Sequence, residues 1–437
     1  MRYTTILILL FSFIAPLCTA NETAELQAPS PTGERYEATL PDTLDLADRA
    51  RLAVGGLTRA VDPDHGHVQY FMTRFFASPP YLIHMDYGDI ICTAKWLESL
   101  PMMRVMSGSD QNLDVEKRMM EDLLSRLDED GLIYFRAGEV KGTSWLGKRG
   151  NYPLPDEDLS SMIHNGRAML AMMAWYERDK SAVWLERLQR MAKGLKKAAI
   201  IKGDYAYYPE GKIGMEFSYL KDSGYKDTTE PGSEREGAEG SVLCYQGSQI
   251  RALARWYMMS GDQEALDLAR KLVNFVTQPK FWDAPDGGPL IFGAEHGHFQ
   301  ADHHHGRMIT TRGILEYAQA ANDLRLKQFV RDSYEFQRNW GIGRIGFFVQ
   351  SVGGIPNTVE GCTIGDMVAL GIRLSDYGIG DYWDDVDQVV RNHLVEQQIT
   401  QADQLRKVAD DAGRKDPTAQ EKEKDLASWG PNFYNSL

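Results

Sequence analysis

Residues 358–398 decide the fold, and they read TVEGCTIGDMVALGIRLSDYGIGDYWDDVDQVVRNHLVEQQ. Behind Cys362, apolar residues recur at the spacing of an α-helix, and the glycine-containing segment 377–381 then interrupts the pattern. A second helix follows, with apolar side chains at i, i+3, i+4 and i+7 and acidic side chains on the opposite face. The stretch therefore predicts a helical hairpin that begins directly after Glu360.

The same alternation of two kinds of helix recurs along the chain. Paired helices with apolar inner members and amphipathic outer members predict an all-α fold, the (α/α)6 toroid. Six outer helices can be identified, but only five inner ones. The outer helices are predicted around 44–61, 114–127, 182–195, 264–276, 326–337 and 382–396, and the inner helices around 88–100, 161–176, 243–259, 307–321 and 363–376.

Long loops precede the inner helices and carry most of the histidines, carboxylates and aromatic residues. Each loop is longer than a simple connection requires. Because the loops all lead into inner helices from the same end of the toroid, we expect their polar side chains to converge on one cleft. The loops are 71–87, 133–160, 206–241, 281–305 and 342–359.

The N-terminus predicts export. Residues 1–20 combine an early arginine, an apolar run and small residues before Ala20, which is typical of a signal peptide, so we expect a secreted or periplasmic protein. Residues 21–40 are predicted to form a flexible leader, and residues 41–400 are predicted to form the toroid. Residues 401–437 are either a charged extension or the start of another domain.

The charge of the chain bears on its partners. The formal net charge is −14, and no block of lysine and arginine resembles a nucleic-acid-binding surface. After the signal peptide, no apolar run approaches the ~20 residues of a membrane span. Nucleic acid and a membrane span are therefore not expected, and no pattern defines an oligomeric state.

Glu360 and Cys362 are the reactive-looking residues of the opening stretch. They lie where a helix begins, and backbone N–H groups there favour a thiolate over a thiol. A carboxylate two residues from a thiolate can share a metal ion with it. The alternative is that Cys362 is a small buried hydrophobe and Glu360 a first-turn acid. Without the signal peptide, Cys92, Cys244 and Cys362 remain, and this odd number excludes a fully paired disulfide framework.

Two segments resemble the six-hairpin glycosidase superfamily, and within it the β-L-arabinofuranosidase family and its uncharacterised relatives. They are 298–318, with three consecutive histidines, and 360–392, with Glu-Gly-Cys followed by Tyr-Trp-Asp-Asp and a later asparagine. The resemblance implies an (α/α)6 barrel with a zinc site of one glutamate and three cysteines, one cysteine being the nucleophile. Carried onto this chain, it implies that Glu360 is the general acid/base and Cys362 a zinc ligand.

The chain departs from that family at two places. The adjacent cysteine pair expected downstream of the final helix is missing before Leu437, and residues 346–351 hold no carboxylate to supply the expected glutamate ligand. Two explanations stay open. The chain is truncated before a C-terminal β-sandwich that carries the cysteine pair, or it belongs to a branch with other chemistry or none.

Further candidates for substrate binding come from the loops. The segment 296–305 holds the densest set of metal-capable groups, among them His298, Asp302 and His303, and sugar contact, metal binding and a solvent-exposed loop all remain open for it. Arg307 contacts an acidic sugar or pairs with a carboxylate of the barrel. The other candidates are the carboxylate of Glu239 and the stacking surface of Trp145.

The sequence therefore favours an exported glycoside hydrolase that acts on plant or algal poly- or oligosaccharides, with Glu360 as general acid/base. Zinc is the cofactor that the resemblance implies, and a carbohydrate is the expected partner. One alternative is a catalytically incomplete saccharide-binding protein. Another is a carboxylate-only hydrolase or lyase that acts on uronate-containing sugars.

Overall fold

Helices dominate the part of the chain that the computed structural model describes. The predicted signal peptide and leader, most of the C-terminal extension, and the candidates Trp145 and Glu239 lie outside the described residues. The described residues run from 44 to 432, with gaps at 75–80, 85, 138–155, 210–217, 227, 229, 232–242, 283–296, 300–301, 353–358, 402, 404–405, 408–409 and 412–428.

Eleven α-helices lie within these residues, and all belong to one unit, Asp45–Leu437. Helix α1 (Leu46–Arg59) is followed by five helical hairpins. The first members of the hairpins are α2 (Asp86–Ser107), α4 (Met162–Asp179), α6 (Cys244–Ser260), α8 (His304–Ala320) and α10 (Gly361–Asp376). The second members are α3 (Leu113–Ser125), α5 (Ala182–Ala198), α7 (Gln263–Val276), α9 (Leu324–Arg338) and α11 (Trp383–Val389), which continues as a π-helical turn, Val390–Leu394.

The helices form two rings. The first members pack against one another in chain order, from α2 through α4, α6 and α8 to α10, and each second member packs against its hairpin partner. Helix α1 packs against α2 as a further outer helix. The predicted all-α fold and the (α/α)6 toroid are thereby confirmed, and the described residues contain the five inner helices expected from the sequence.

Three glycines allow the inner helices to approach one another closely. A Cβ atom on Gly166 of α4 would lie 2.8 Å from the backbone nitrogen of Gln249. A Cβ atom on Gly247 of α6 would lie 2.8 Å from the Cα atom of Thr310, and one on Gly313 of α8 would lie 2.6 Å from the Gly247 carbonyl oxygen. Any side chain at these positions would push the helices apart, so glycine fixes the spacing of α4, α6 and α8.

Aspartates cap three of the outer helices, and the first of them is Asp45 at the start of α1. The Asp262 carboxylate accepts hydrogen bonds from the backbone N–H groups of Glu264 and Ala265 at the start of α7. The Asp323 carboxylate does the same at the start of α9. These caps satisfy N–H groups that have no partner within the helix.

Short antiparallel strands lie mostly in the segments that lead into the inner helices. Strand β9 pairs with β12, so the segments before α8 and α10 are tied together, and β13 pairs with β4. The strands are β1 (Val61–Asp62), β2 (Val68–Gln69), β3 (Met72–Arg74), β4 (Tyr81–Ile83), β5 (Leu159–Ser161), β6 (Ile200–Lys202), β7 (Tyr205–Tyr207), β8 (Ser218–Leu220), β9 (Asp302–His303), β10 (Gly341–Ile342), β11 (Phe347–Phe348), β12 (Ser351–Val352) and β13 (Trp429–Asn432). None of the described helices has the length and apolar character to span a membrane.

Candidate functional site

A cavity of about 640 Å³ lies among the inner helices α2, α4, α6, α8 and α10. This volume falls in the range of pockets that bind small molecules. Six of the side chains that line the cavity are cationic and three are carboxylates, so its wall is electropositive. The cations are Lys95, Arg167, Arg251, Arg255, Arg312 and Arg373, and the carboxylates are Glu98, Glu316 and Asp366.

A histidine–carboxylate pair lies where two inner helices begin. His303 is the last residue of β9 and the N-cap of α8, and Glu360 is the N-cap of α10. The Nε2 atom of His303 lies 2.7 Å from the Oε2 atom of Glu360. Desolvation raises the pKa of Glu360, but favourable interactions, with the His303 hydrogen bond foremost, outweigh it, so the pKa lies below its usual range. Glu360 is therefore a carboxylate at neutral pH, and it accepts the hydrogen bond from His303.

A second pair, one helical turn further in, is held by arginine. His305 Nδ1 lies 2.6 Å from Asp366 Oδ2, and Arg312 Nη1 lies 2.5 Å from Asp366 Oδ1. Burial alone would raise the pKa of Asp366, but His305 and Arg312 hold it well below its usual range. Because this carboxylate stays ionised, His305 Nδ1 carries the proton, and Nε2 accepts a hydrogen bond from Lys95 Nζ at 3.3 Å. Burial also lowers the pKa of His305, so its imidazole is held neutral.

Cys362 completes a set of metal-capable groups at this end of the cavity. A ring nitrogen of His305, a carboxylate oxygen of Glu360 and the Cys362 sulfur lie within 4.8 Å of one another, and we call these three residues the cavity cluster. The thiol is open to solvent at the cavity wall. Its surroundings nevertheless desolvate it and raise the pKa of Cys362 to about 11. Desolvation is the largest cause of this rise, and it favours the thiol, which is consistent with the second of the two alternatives left open for Cys362.

The cavity cluster fits zinc in its donors but not in its surroundings. Nitrogen, oxygen and sulfur from His, Glu and Cys are zinc ligands, and a carboxylate behind a ligating histidine, as Asp366 is behind His305, is the usual outer partner. Lys95, however, places an ammonium group 3.3 Å from His305 Nε2, the nitrogen that would face the ion. His305, Glu360 and Cys362 are the residues that would hold zinc, and zinc binding stays a prediction.

Further into the cavity, two carboxylates are paired with arginine. Glu98 Oε1 lies 2.7 Å from Arg251 Nη2, and Glu316 Oε1 lies 2.7 Å from Arg255 Nη2 and 3.8 Å from Arg373 Nε. Burial alone would raise the pKa values of Glu98 and Glu316, yet the neighbouring arginines lower both. Because arginine does not give up its proton, its charge favours the ionised form of these carboxylates.

Two residues of the histidine-rich segment lie in the protein core. The Nδ1 atom of His304 is 3.1 Å from the Val349 carbonyl oxygen, and burial lowers the pKa of His304 to about 4. Arg307 is also buried, donates to the Phe281 carbonyl oxygen and stacks on the rings of Trp282 and Phe299. The structure therefore assigns both side chains to packing and does not bring Arg307 to the cavity.

Of the remaining predicted residues, the structure describes the side chain of His298 alone. His298 stacks on Phe336, with 4.2 Å between the ring centroids, and lines an open groove of about 990 Å³ on the outside of the ring. The backbone of Asp302 pairs in strand β9, and its side chain is not described. Glu239 and Trp145 lie outside the described residues.

Sequence reasoning missed Lys95, Arg312 and Asp366. Each is a charged residue within an inner helix whose other residues are largely apolar, and each lies at the cavity wall. The signal that could have found them is a charged residue on the apolar face of a helix. Burial of an unpaired charge is costly, so such a residue is expected to have a partner or to face a cavity. The partners could not have been named, since His305 and Lys95 are 210 residues apart.

Comparisons with solved structures find proteins of the same architecture at low identity. The cellobiose 2-epimerase from Bacillus thermoamylovorans matches with a TM-score of 0.53 and 12% identity, over 79% of this chain and 86% of that chain. A sugar epimerase from a ruminal bacterium matches with a TM-score of 0.51 and 14% identity, over 82% of this chain and 88% of that chain. A GH127 β-L-arabinofuranosidase from Geobacillus stearothermophilus T6 matches with a TM-score of 0.46 and 14% identity, over 81% of this chain and 51% of that chain. No protein-family model and no curated protein matches.

Proposed function

Starting from the fold of the six-hairpin glycosidase superfamily, which the structural matches show, we propose that this chain is an exported glycoside hydrolase. Its substrates would be plant or algal poly- or oligosaccharides. The observation that supports this most directly is the His303–Glu360 pair, 2.7 Å apart beside a cavity of about 640 Å³. A histidine partner, unlike an arginine, lets a carboxylate exchange a proton.

Hydrolysis of a glycoside needs a group that gives a proton and later takes one back. With His303 protonated, the pair holds one transferable proton between Nε2 and Oε2, while the lowered pKa keeps Glu360 ionised. In the proposed reaction, this proton goes to the departing oxygen as the C–O bond breaks. Water then supplies hydroxide to the anomeric carbon and returns a proton to the pair, so one water is consumed and the pair is restored.

Zinc enters this proposal only through the cavity cluster. His305, Glu360 and Cys362 are the residues that would hold the ion. When bound, zinc would act as a Lewis acid and keep the Cys362 sulfur deprotonated. Proton transfer by the His303–Glu360 pair does not depend on it.

A second candidate is a hydrolase or lyase that uses carboxylates alone and acts on uronate-containing sugars. The charge of the cavity wall favours it, because cationic side chains outnumber carboxylates there by six to three. Lys95 forms no salt bridge with any carboxylate among the described residues and is therefore suited to meet an acidic sugar.

The deciding experiment incubates the purified protein with a panel of neutral and uronate-containing oligosaccharides and follows reducing ends, unsaturated products and binding. We expect reducing ends from the wild type, and a loss of about 100-fold or more in Glu360→Gln. Glu177→Gln, which changes an exposed glutamate, is the matched control. Unsaturated products would establish lyase chemistry instead, and binding without turnover would establish the saccharide-binding alternative.

A further inference from the structure

A second set of metal-capable side chains lies outside the lining of the cavity. Asp62 ends strand β1, His65 ends the 3-10 turn Pro63–His65, and His84 follows β4 shortly before α2 begins. One ligand atom from each residue lies within 4.8 Å of the other two. We call Asp62, His65 and His84 the turn cluster.

The geometry of the turn cluster centres on one oxygen atom. The Oδ2 atom of Asp62 lies 2.8 Å from His65 Nδ1 and 2.9 Å from His84 Nε2. The Oδ1 atom of the same carboxylate accepts a hydrogen bond from the backbone N–H of Asp64 at 3.0 Å, which fixes its orientation. Two imidazole nitrogens and a carboxylate oxygen therefore converge from two separate segments of the chain.

The surroundings hold the three groups in place. The side chain of His84 is fully buried, and its ring lies 4.4 Å from the ring of Tyr70. The side chain of His65 is 49% exposed, so solvent reaches the point where the three groups meet. Asp62 forms no salt bridge with a lysine or arginine among the described residues. The Asp62 carboxylate therefore has only histidine partners among these ion pairs, in contrast to the cavity cluster, where Lys95 lies against His305.

We propose that Asp62, His65 and His84 bind a divalent transition-metal ion of the zinc class. Two imidazoles and one carboxylate are a donor set that zinc accepts, whereas magnesium and calcium prefer oxygen donors. The open side at His65 leaves room for water as a fourth ligand. The ion would link the turn after α1 to the segment that leads into the first inner helix, so it would stabilise the folded chain. This inference does not rest on the proposed hydrolase activity.

The experiment measures zinc binding and thermal stability of the untagged protein after removal of metal by a chelator. Cys362→Ser serves as the background, because it removes a ligand of the cavity cluster. We expect this protein to bind one zinc ion and to gain stability with zinc but not with magnesium. His65→Ala changes an exposed side chain and should fold. We expect His65→Ala to bind zinc at least about tenfold more weakly. Loss of an outer partner of a ligand already lowers metal affinity by about that factor, and loss of the ligand itself should lower it no less.

The matched control is His67→Asn, two residues from His65 and outside the cluster. His67 has a φ of 58°, a conformation that asparagine tolerates. We expect this variant to bind zinc as the background does. Equal zinc affinity in His65→Ala and the background, or no zinc-dependent gain in stability in the background, would overturn the proposal and leave a hydrogen-bond network alone.

Discussion

The cavity cluster and the turn cluster offer a metal ion equally many donors in opposite electrostatic settings. In the cavity cluster, His305 is held by an ionised carboxylate on one side and faces the ammonium group of Lys95 on the other. In the turn cluster, His65 and His84 both face the carboxylate of Asp62. Donor type alone would rate the two clusters similarly.

The difference shows that the neighbouring charges, more than the donors, decide what a cluster can do. A cation beside the donors opposes a divalent ion and favours an anionic or sugar ligand. A carboxylate between two imidazoles has the opposite preference. We therefore expect the turn cluster to bind zinc more tightly than the cavity cluster.

The largest effect should come from Asp366, which supports the cavity cluster from behind. Asp366→Asn removes the charge that pairs with His305 and Arg312, and breaking a buried pair costs about 3–5 kcal/mol of the free energy of unfolding. Because folding lowers the pKa of Asp366, the stability it contributes is present above its ordinary pKa of 3.8 and is lost as the pH falls below it.

Chemical denaturation at several pH values measures this effect. Asp376→Asn, at a largely exposed position of the same helix, is the control and should change stability by less than about 0.5 kcal/mol. A similarly small loss in Asp366→Asn would show that the cavity cluster is not organised by this carboxylate.

An intermediate effect is expected from Lys95, whose ammonium group beside His305 makes the charge around the cavity cluster differ from that around the turn cluster. Lys95→Met keeps the length of the side chain and removes its charge, so zinc affinity of the cavity cluster should rise about tenfold. Calorimetric titration of zinc into a His65→Ala background measures it, since the turn cluster is weakened there. Unchanged affinity would remove the electrostatic basis of the comparison.

The smallest effect concerns the proton-transfer pair. In His303→Ala, the hydrogen bond that lowers the pKa of Glu360 is lost while desolvation remains, so this pKa should rise. NMR titration of the Glu360 carboxyl carbon measures it without a substrate. His303→Gln retains an N–H donor and should shift the pKa less. A pKa that stays the same or falls in His303→Ala would mean that His303 does not tune Glu360.

Much of the site was predictable where it depends on local sequence. The glycine-interrupted hairpin placed Glu360 directly before a helix, and the structure confirms it as the N-cap of α10. The run of three histidines was recognised from the sequence, but the different directions of their side chains were not. His303 faces Glu360 and His305 faces Asp366, whereas His304 between them packs in the core. Three successive residues at a helix start point in different directions, and the sequence does not reveal which of them faces the cavity.

The sequence by itself determined the alternation of helices and the position of Glu360, because these follow from apolar spacing and turn residues within a few positions of the chain. Only the tertiary structure decided that Lys95 faces His305, that Asp62 meets His84, and that Arg307 lies among aromatic rings. These contacts depend on how the helices close into a ring, and that closure is set by packing between segments far apart in the chain.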